Sequence, residues 1–131
     1  MRLKDWQQRF SDFGKARASM PFAWGSNDCC TFAADAVHAI TGRDLRKEFP
    51  AYEGALGAAR AVEEGGGLQQ LTTSLLGEPV SPKLAAVGDV VLVMNAGREM
   101  LGICNGTSIA APGEHGVVML NMETAIAAWS V

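Results

Sequence analysis

Cys29 is the residue whose setting points most directly to chemistry. It follows Asn27-Asp28, two good helix N-caps, and precedes an apolar run in which Phe32, Ala33, Ala36, Val37 and Ile40 fall at helical spacing. A helix beginning at Asp28 or Cys29 places Cys29 in its first turn. There, free backbone N–H groups and the positive end of the helix dipole favour a thiolate over a thiol, the form that acts as a nucleophile near neutral pH. A cysteine working on an amide also needs a base to take its proton and return it to the leaving amine. Only two histidines are available. His38 lies nine residues along the same helix, which at about 100° per residue puts it on the opposite face and roughly 13 Å away along the axis. His115 sits in Pro112-Gly113-Glu114-His115-Gly116, a turn sequence, and reaches Cys29 only if that hairpin folds over the thiol. It is the one candidate base.

The other two cysteines read as packing residues. Cys30 points about 100° away from Cys29 on the helix, toward the core. Cys104 shares a strand face with Met100 and Gly102 by alternation, so it either points toward the same cleft or fills core behind it. Three cysteines, two of them adjacent, make a poor disulfide framework. The absence of a CxxC pair argues against a zinc site, and no cofactor or metal is expected.

The elements that would hold this thiol divide into two halves. Leu3, Trp6, Phe10 and Phe13 predict an amphipathic helix over residues 2 to 18 with an aromatic core-facing stripe. Met20-Pro21 ends it and leads into Phe22-Ala23-Trp24-Gly25, where Trp24 either lines a substrate cleft or anchors the loop. The Cys29 helix stops before Thr41-Gly42. Further helices are expected from Glu53 to Glu64 and through Leu68, Leu71, Leu75 and Leu76, with Gly65-Gly66-Gly67 as the joint between them. From Leu84 onward β-branched runs replace helical periodicity. A turn and a buried strand are expected over Val87–Val93, and further strands at Leu101–Cys104, Ser108–Ala110 and Val117–Leu120, with a short last one at Ala128–Val131. Asn95-Ala96-Gly97-Arg98, Asn105-Gly106 and the 112–116 segment supply turns. Helices first and a meander after imply one α+β domain over residues 1–131, N-terminal helices packing on a C-terminal antiparallel sheet.

The Trp24-Gly25 loop followed by Asp28-Cys29 at the start of an apolar helix resembles the nucleophile segment of NlpC/P60 cysteine peptidases, which have a papain-like fold and cut cell-wall peptides. Val87-Gly88-Asp89-Val90-Val91 resembles that family's Gly-Asp-Leu-Val strand entry. The whole chain, from Pro21-Phe22-Ala23-Trp24-Gly25 through Asp28-Cys29-Cys30 to Ala128-Trp129-Ser130-Val131, is similar to small NlpC/P60-like proteins of bacteriophage and prophage tail modules. The resemblance implies Cys29 as nucleophile and a catalytic His at the start of the next strand. Met100-Leu101-Gly102-Ile103 stands there instead, and a thioether shuttles no proton. The family's third polar position falls near Ile109-Ala110-Ala111, which is apolar. The expected function is therefore a tail-tip or tail-assembly component that has lost the catalytic His, with other tail-tip proteins as partners. The alternative is an active cysteine peptidase cutting peptidoglycan peptides through Cys29.

Composition fits a folded domain of this kind. The chain is 48% hydrophobic, with a net charge of −3 and scattered Lys and Arg, which leaves no basic face for nucleic acid. Met1-Arg2-Leu3-Lys4-Asp5 lacks the apolar stretch of a signal peptide, and no run is long enough for a membrane span. Synthesis in the bacterial cytoplasm and residence in a virion tail are the corresponding expectations.

Overall fold

The computed structural model describes all residues from Met1 to Val131. Four helices come first: α1 (Trp6–Arg17), α2 (Cys29–Thr41), α3 (Gly54–Glu64) and α4 (Leu68–Leu76). Five strands follow: β1 (Val90–Asn95), β2 (Arg98–Cys104), β3 (Ser108–Gly113), β4 (Gly116–Asn121) and β5 (Ala125–Trp129). They form one antiparallel sheet in the order β4-β3-β2-β1-β5. The class is α+β, with the helical half packed on the sheet. No helix is long and apolar enough to cross a membrane.

β1 is an interior strand, held between β2 and β5, and its sequence fits that place. Val90, Val91, Leu92 and Val93 are all buried, a continuous apolar run because both faces of the strand are covered. Val90 and Leu92 face the helices and join Phe32, Ala33, Ala36, Val37, Leu101, Ile103 and Trp129 in the main core. Val91 and Val93 face the other way and pack with Cys104, Ile109 and Ala128. That second face is covered by the segment around Val80 and Ala85 and by Met122, which carry short 3-10 turns at Pro82–Leu84 and Met122–Thr124 but no α-helix. The alanines of α2 keep its side chains short and let it lie close on β2. Phe32, 2% exposed, supplies its largest contact, a burial worth about 1.5–3 kcal/mol.

α2 is well bounded at both ends. Asp28 is the N-cap, its Oδ1 accepting from Thr31 N–H at 2.9 Å while the Thr31 hydroxyl accepts from Asp28 N–H at 2.9 Å, a complete capping box. At the other end Gly42, with φ of 82°, takes the left-handed conformation and donates its N–H to His38 O.

Several boundaries differ from those expected. α1 starts at Trp6, and Leu3 instead ties the preceding segment to α2 by donating its N–H to Ile40 O at 2.9 Å. The stripe of α1 is only partly buried: Phe13 meets Phe32 with ring centroids 5.1 Å apart, but no α1 residue is fully enclosed. The β1–β2 turn is the two-residue Ala96-Gly97, both at positive φ (52° and 78°), as a type I′ hairpin requires. The β3–β4 turn is shorter than the five-residue segment expected. Pro112 and Gly113 continue β3, Gly113 pairs with Gly116, and only Glu114 and His115 turn. Pro112 is tolerated because its partner Val117 sends its N–H outward to Ala18 O, so the missing Pro112 donor costs no ladder bond.

Candidate active site around Cys29

The loop in front of α2 is held by polar contacts on all sides. Phe22 donates its N–H to Gly113 O at 2.8 Å, fastening the loop to the end of β3. Asn27 is 2% exposed and fully satisfied: its Nδ2 donates to Met20 O and Pro21 O, and its Oδ1 accepts from Arg17. Arg46 binds Asp35 through two contacts of 2.6 Å and reaches on to Ser26 O at 2.9 Å. Arg17 also pairs with Asp35, so one α2 carboxylate locks two arginines that hold the loop. Asp28 completes the frame. Besides capping α2, its Oδ2 accepts from Gly25 N–H and from the hydroxyl of Tyr52. Burial, then this bond to Asp28, push the Tyr52 phenol well above its usual range, so it remains a donor.

This frame presents Cys29 as the first residue of α2. Its amide and that of Cys30 precede the first intrahelical bond and have no partner in the helix. All three cysteines are free thiols. Cys30 Sγ lies 4.0 Å from Cys29 Sγ and donates its S–H to it, which lowers the Cys29 pKa. Burial opposes this, the Leu101 backbone amide on β2 reinforces it, Asp28 opposes it and Arg98 reinforces it. The net direction for Cys29 is down. Cys30, the donor of the shared proton and itself enclosed, is pushed far up. The two thiols thus divide the roles: Cys29 is the more readily ionised and Cys30 keeps its proton.

Cys29 lies where two clefts meet. The first, about 360 Å³, runs between the loop and α3 and is walled by Ala55, Ala58, Ala59 and Val62, with Tyr52 and Glu63 at its margins. The second, about 590 Å³, runs toward the two hairpin tips and is bounded by Phe22, Asn95, Met100, Pro112 and Glu114. Trp24, Cys29, Arg98 and Glu99 belong to both. Either volume suits a small ligand or a short peptide segment. Trp24 is 40% exposed, so its indole is a cleft wall and not a buried anchor.

The structure sorts the other sequence candidates. Neither histidine lines either cleft. His38 is exposed on α2, contributing its carbonyl to the Gly42 cap, and His115 is exposed at the β3–β4 turn. Met100 borders the second cleft but packs against the cluster behind the sheet, because β2 alternation turns Met100, Gly102 and Cys104 away from α2. Cys104 is buried in that rear cluster and does not share the cleft. The side chains that β2 turns toward α2 are Glu99, Leu101 and Ile103. Ile109 and Ala111 are fully buried, so the strand beyond carries no polar group to the thiol. No group of three or more His, Cys, Asp or Glu gathers as a cation site.

Sequence reasoning did not find Tyr52, Arg17, Asp35, Arg46 or Glu99. Along the chain Arg17 and Arg46 are only scattered charges. A buried Asn-Asp pair before a helix was the one available signal, since two enclosed polar side chains need donors from elsewhere in the chain.

The family model described as "Domain of unknown function (DUF6950)" matches residues 1–131. The chain belongs to the DUF6950 family. No curated protein matches it. Within this DUF6950 domain the chemistry open to the site is that of a thiol with a lowered pKa and unpaired helix amides beside it. It can attack an electrophile, but the titratable proton nearest the sulfur is that of the Cys30 thiol, which is held tightly.

Proposed function

We propose that this DUF6950 chain is an NlpC/P60-type, papain-like domain that retains the thiol and its clefts, has lost amide hydrolysis, and serves as an assembly component such as a phage or prophage tail-tip protein. The observation that carries the reading is the wall of the Cys29 clefts, which contains no imidazole. A papain-like hydrolase relies on that group twice, to deprotonate the thiol and to protonate the leaving amine. Here Cys30 and the Leu101 N–H only make the thiol easier to ionise, and no imidazole on these walls takes the proton or returns it to the amine. General acid–base help is worth about 10²- to 10⁴-fold in rate. The helix-on-sheet arrangement and the resemblance of the 21–30 and 87–91 segments to NlpC/P60 proteins support the fold assignment, and the similarity to small tail-module proteins supports the assembly role.

A second reading, an active cysteine peptidase acting on peptidoglycan peptides through Cys29, is favoured by one observation: the lowered Cys29 thiol stands at the meeting point of two open clefts. The two readings separate on one assay. Purified protein and a Cys29→Ala variant are incubated with cell-wall fragments. Equal, negligible cleavage, with the variant still assembling normally into its complex, is the expected outcome. Cleavage by the native protein well above the variant would establish the peptidase.

A further inference from the structure

The clefts that meet at Cys29 carry a lopsided set of charges. Glu63 borders the first arm, Glu99 stands where the arms meet and Glu114 borders the second. All three are exposed, and none takes part in an ion pair or a side-chain hydrogen bond. Arg98 is the one cation on these walls, and it favours the Cys29 anion beside it. Between the charges the surfaces are apolar: Ala58, Ala59 and Val62 on one side, Met100 and Pro112 on the other. Over the junction stands Trp24, 40% exposed, braced edge-on by Phe22 at 4.9 Å between ring centroids. A large indole left open to solvent between unpaired carboxylates is a platform for a cation.

We propose that this two-armed groove clasps an extended basic segment of a partner protein, with a Lys or Arg side chain lying against Trp24 and Glu99 and Glu114 as its counter-charges. The proposal rests on the assembly reading above for the occupant's being a partner protein, while the recognition itself is a property of the groove. Charge selects the occupant: three unpaired carboxylates, with the capping Asp28 behind them, against one guanidinium repel an acidic peptide or a phosphate backbone and attract a basic one. The shape selects an extended segment, since the arms run in different directions from Cys29 and a helix fills only one of them. A cation on an exposed aromatic face is worth about 0.5–1 kcal/mol, and charge pairs near the surface add on-rate and orientation that salt weakens.

The test uses a labelled, acetylated and amidated hexapeptide of alternating Lys and Leu, and its counterpart with norleucine at each Lys position, titrated against the native protein. At about 20 mM salt the Lys peptide is expected to bind about tenfold more tightly than the norleucine peptide, and the preference collapses at about 500 mM salt. Glu99→Gln, Glu114→Gln and Trp24→Leu are each expected to weaken the Lys peptide about threefold while leaving the norleucine peptide unchanged. All three side chains are exposed, so thermal melts should remain native. Equal affinity for the two peptides, a preference indifferent to salt, no binding of either, or tighter binding of a cell-wall stem peptide would overturn the proposal. A Cys29→Ala control separates the two levels. Cys29-dependent cutting of the bound Lys peptide would sink the assembly reading and leave the recognition standing, whereas failure to bind with no cell-wall cleavage would sink the recognition alone.

Discussion

Replacing Asp28 by alanine should be among the most costly single changes near the thiol. Asp28 is 1% exposed and its two oxygens accept from Thr31 N–H, Gly25 N–H and the Tyr52 hydroxyl. Losing an N-cap aspartate costs about 0.5–2 kcal/mol. Leaving a buried donor without an acceptor costs about 1–3 kcal/mol. Tyr52 is only half-buried and Gly25 is exposed, so water recovers part of the second penalty. The expected loss is about 2–4 kcal/mol, a large share of the 5–15 kcal/mol that holds a typical domain together. Asp28→Asn should lose only about 1–1.5 kcal/mol. Its carbonyl still caps Thr31, its amide can donate to Tyr52 once that hydroxyl turns to accept, and only Gly25 N–H faces a donor. Urea unfolding followed by tryptophan fluorescence reads both, with an unchanged m-value showing that stability alone has moved. An Asp28→Ala loss below about 1 kcal/mol, or an Asn variant as weak as the Ala variant, would refute this account of the frame.

Other changes probe different parts of the site. Cys30→Ala removes the S–H that donates to Cys29, so the Cys29 pKa rises and alkylation at pH 7 slows. Hydrogen bonds to charged groups are worth about 1.5–3 kcal/mol, which corresponds to about tenfold or more, and an unchanged rate would refute the shared proton. Gly102→Ala places a Cβ 2.5 Å from Ile109 Cγ2 and 2.9 Å from Ala110 O, and should destabilise by about 1–3 kcal/mol in the same urea experiment; a neutral result would show that β2 and β3 can separate freely. Arg46→Ala frees the carbonyls of Gly25 and Ser26 and should cost about 1 kcal/mol, with faster amide exchange confined to residues 22 to 28. Loss of exchange protection spread through α2 would instead make Arg46 a core support.

Much of the architecture was readable in the sequence because it is local. The α2 start is announced by Asn27-Asp28 before helical spacing, its end by Gly42, and the β1–β2 hairpin by Ala96-Gly97 between two apolar runs. The continuous apolar run of β1 marked a buried strand, but periodicity does not say what covers it, and the cover of the rear face by short 3-10 turns at 82–84 and 122–124 leaves no such pattern. Alternation put Cys104 on one face with Met100 and Gly102, but whether that face meets the Cys29 cleft or the core behind it is fixed only by how the sheet packs, and Cys104 fills the rear core. The side chains that frame the thiol come from α1, α2, the turn at 46 and the segment at 52. Their contacts span ten to more than twenty residues and leave no pattern along the chain. Met100, aligned by resemblance with a histidine, turns out to pack behind the sheet, so what faces Cys29 from β2 is Glu99 and Leu101.

The central claim is that Cys29 is an activated thiol with no imidazole coupled to it, and the pH dependence of its alkylation tests this most directly. The Cys29 pKa is depressed, so its thiolate fraction should rise at lower pH than that of an ordinary cysteine near 8.5. Iodoacetamide labelling of Cys29, followed by mass spectrometry, should give a single sigmoid with its midpoint below that value, and the same curve in His115→Ala and His38→Ala variants. A reactive plateau extending to pH 5 that collapses in His115→Ala would reveal a thiolate–imidazolium pair and contradict the account.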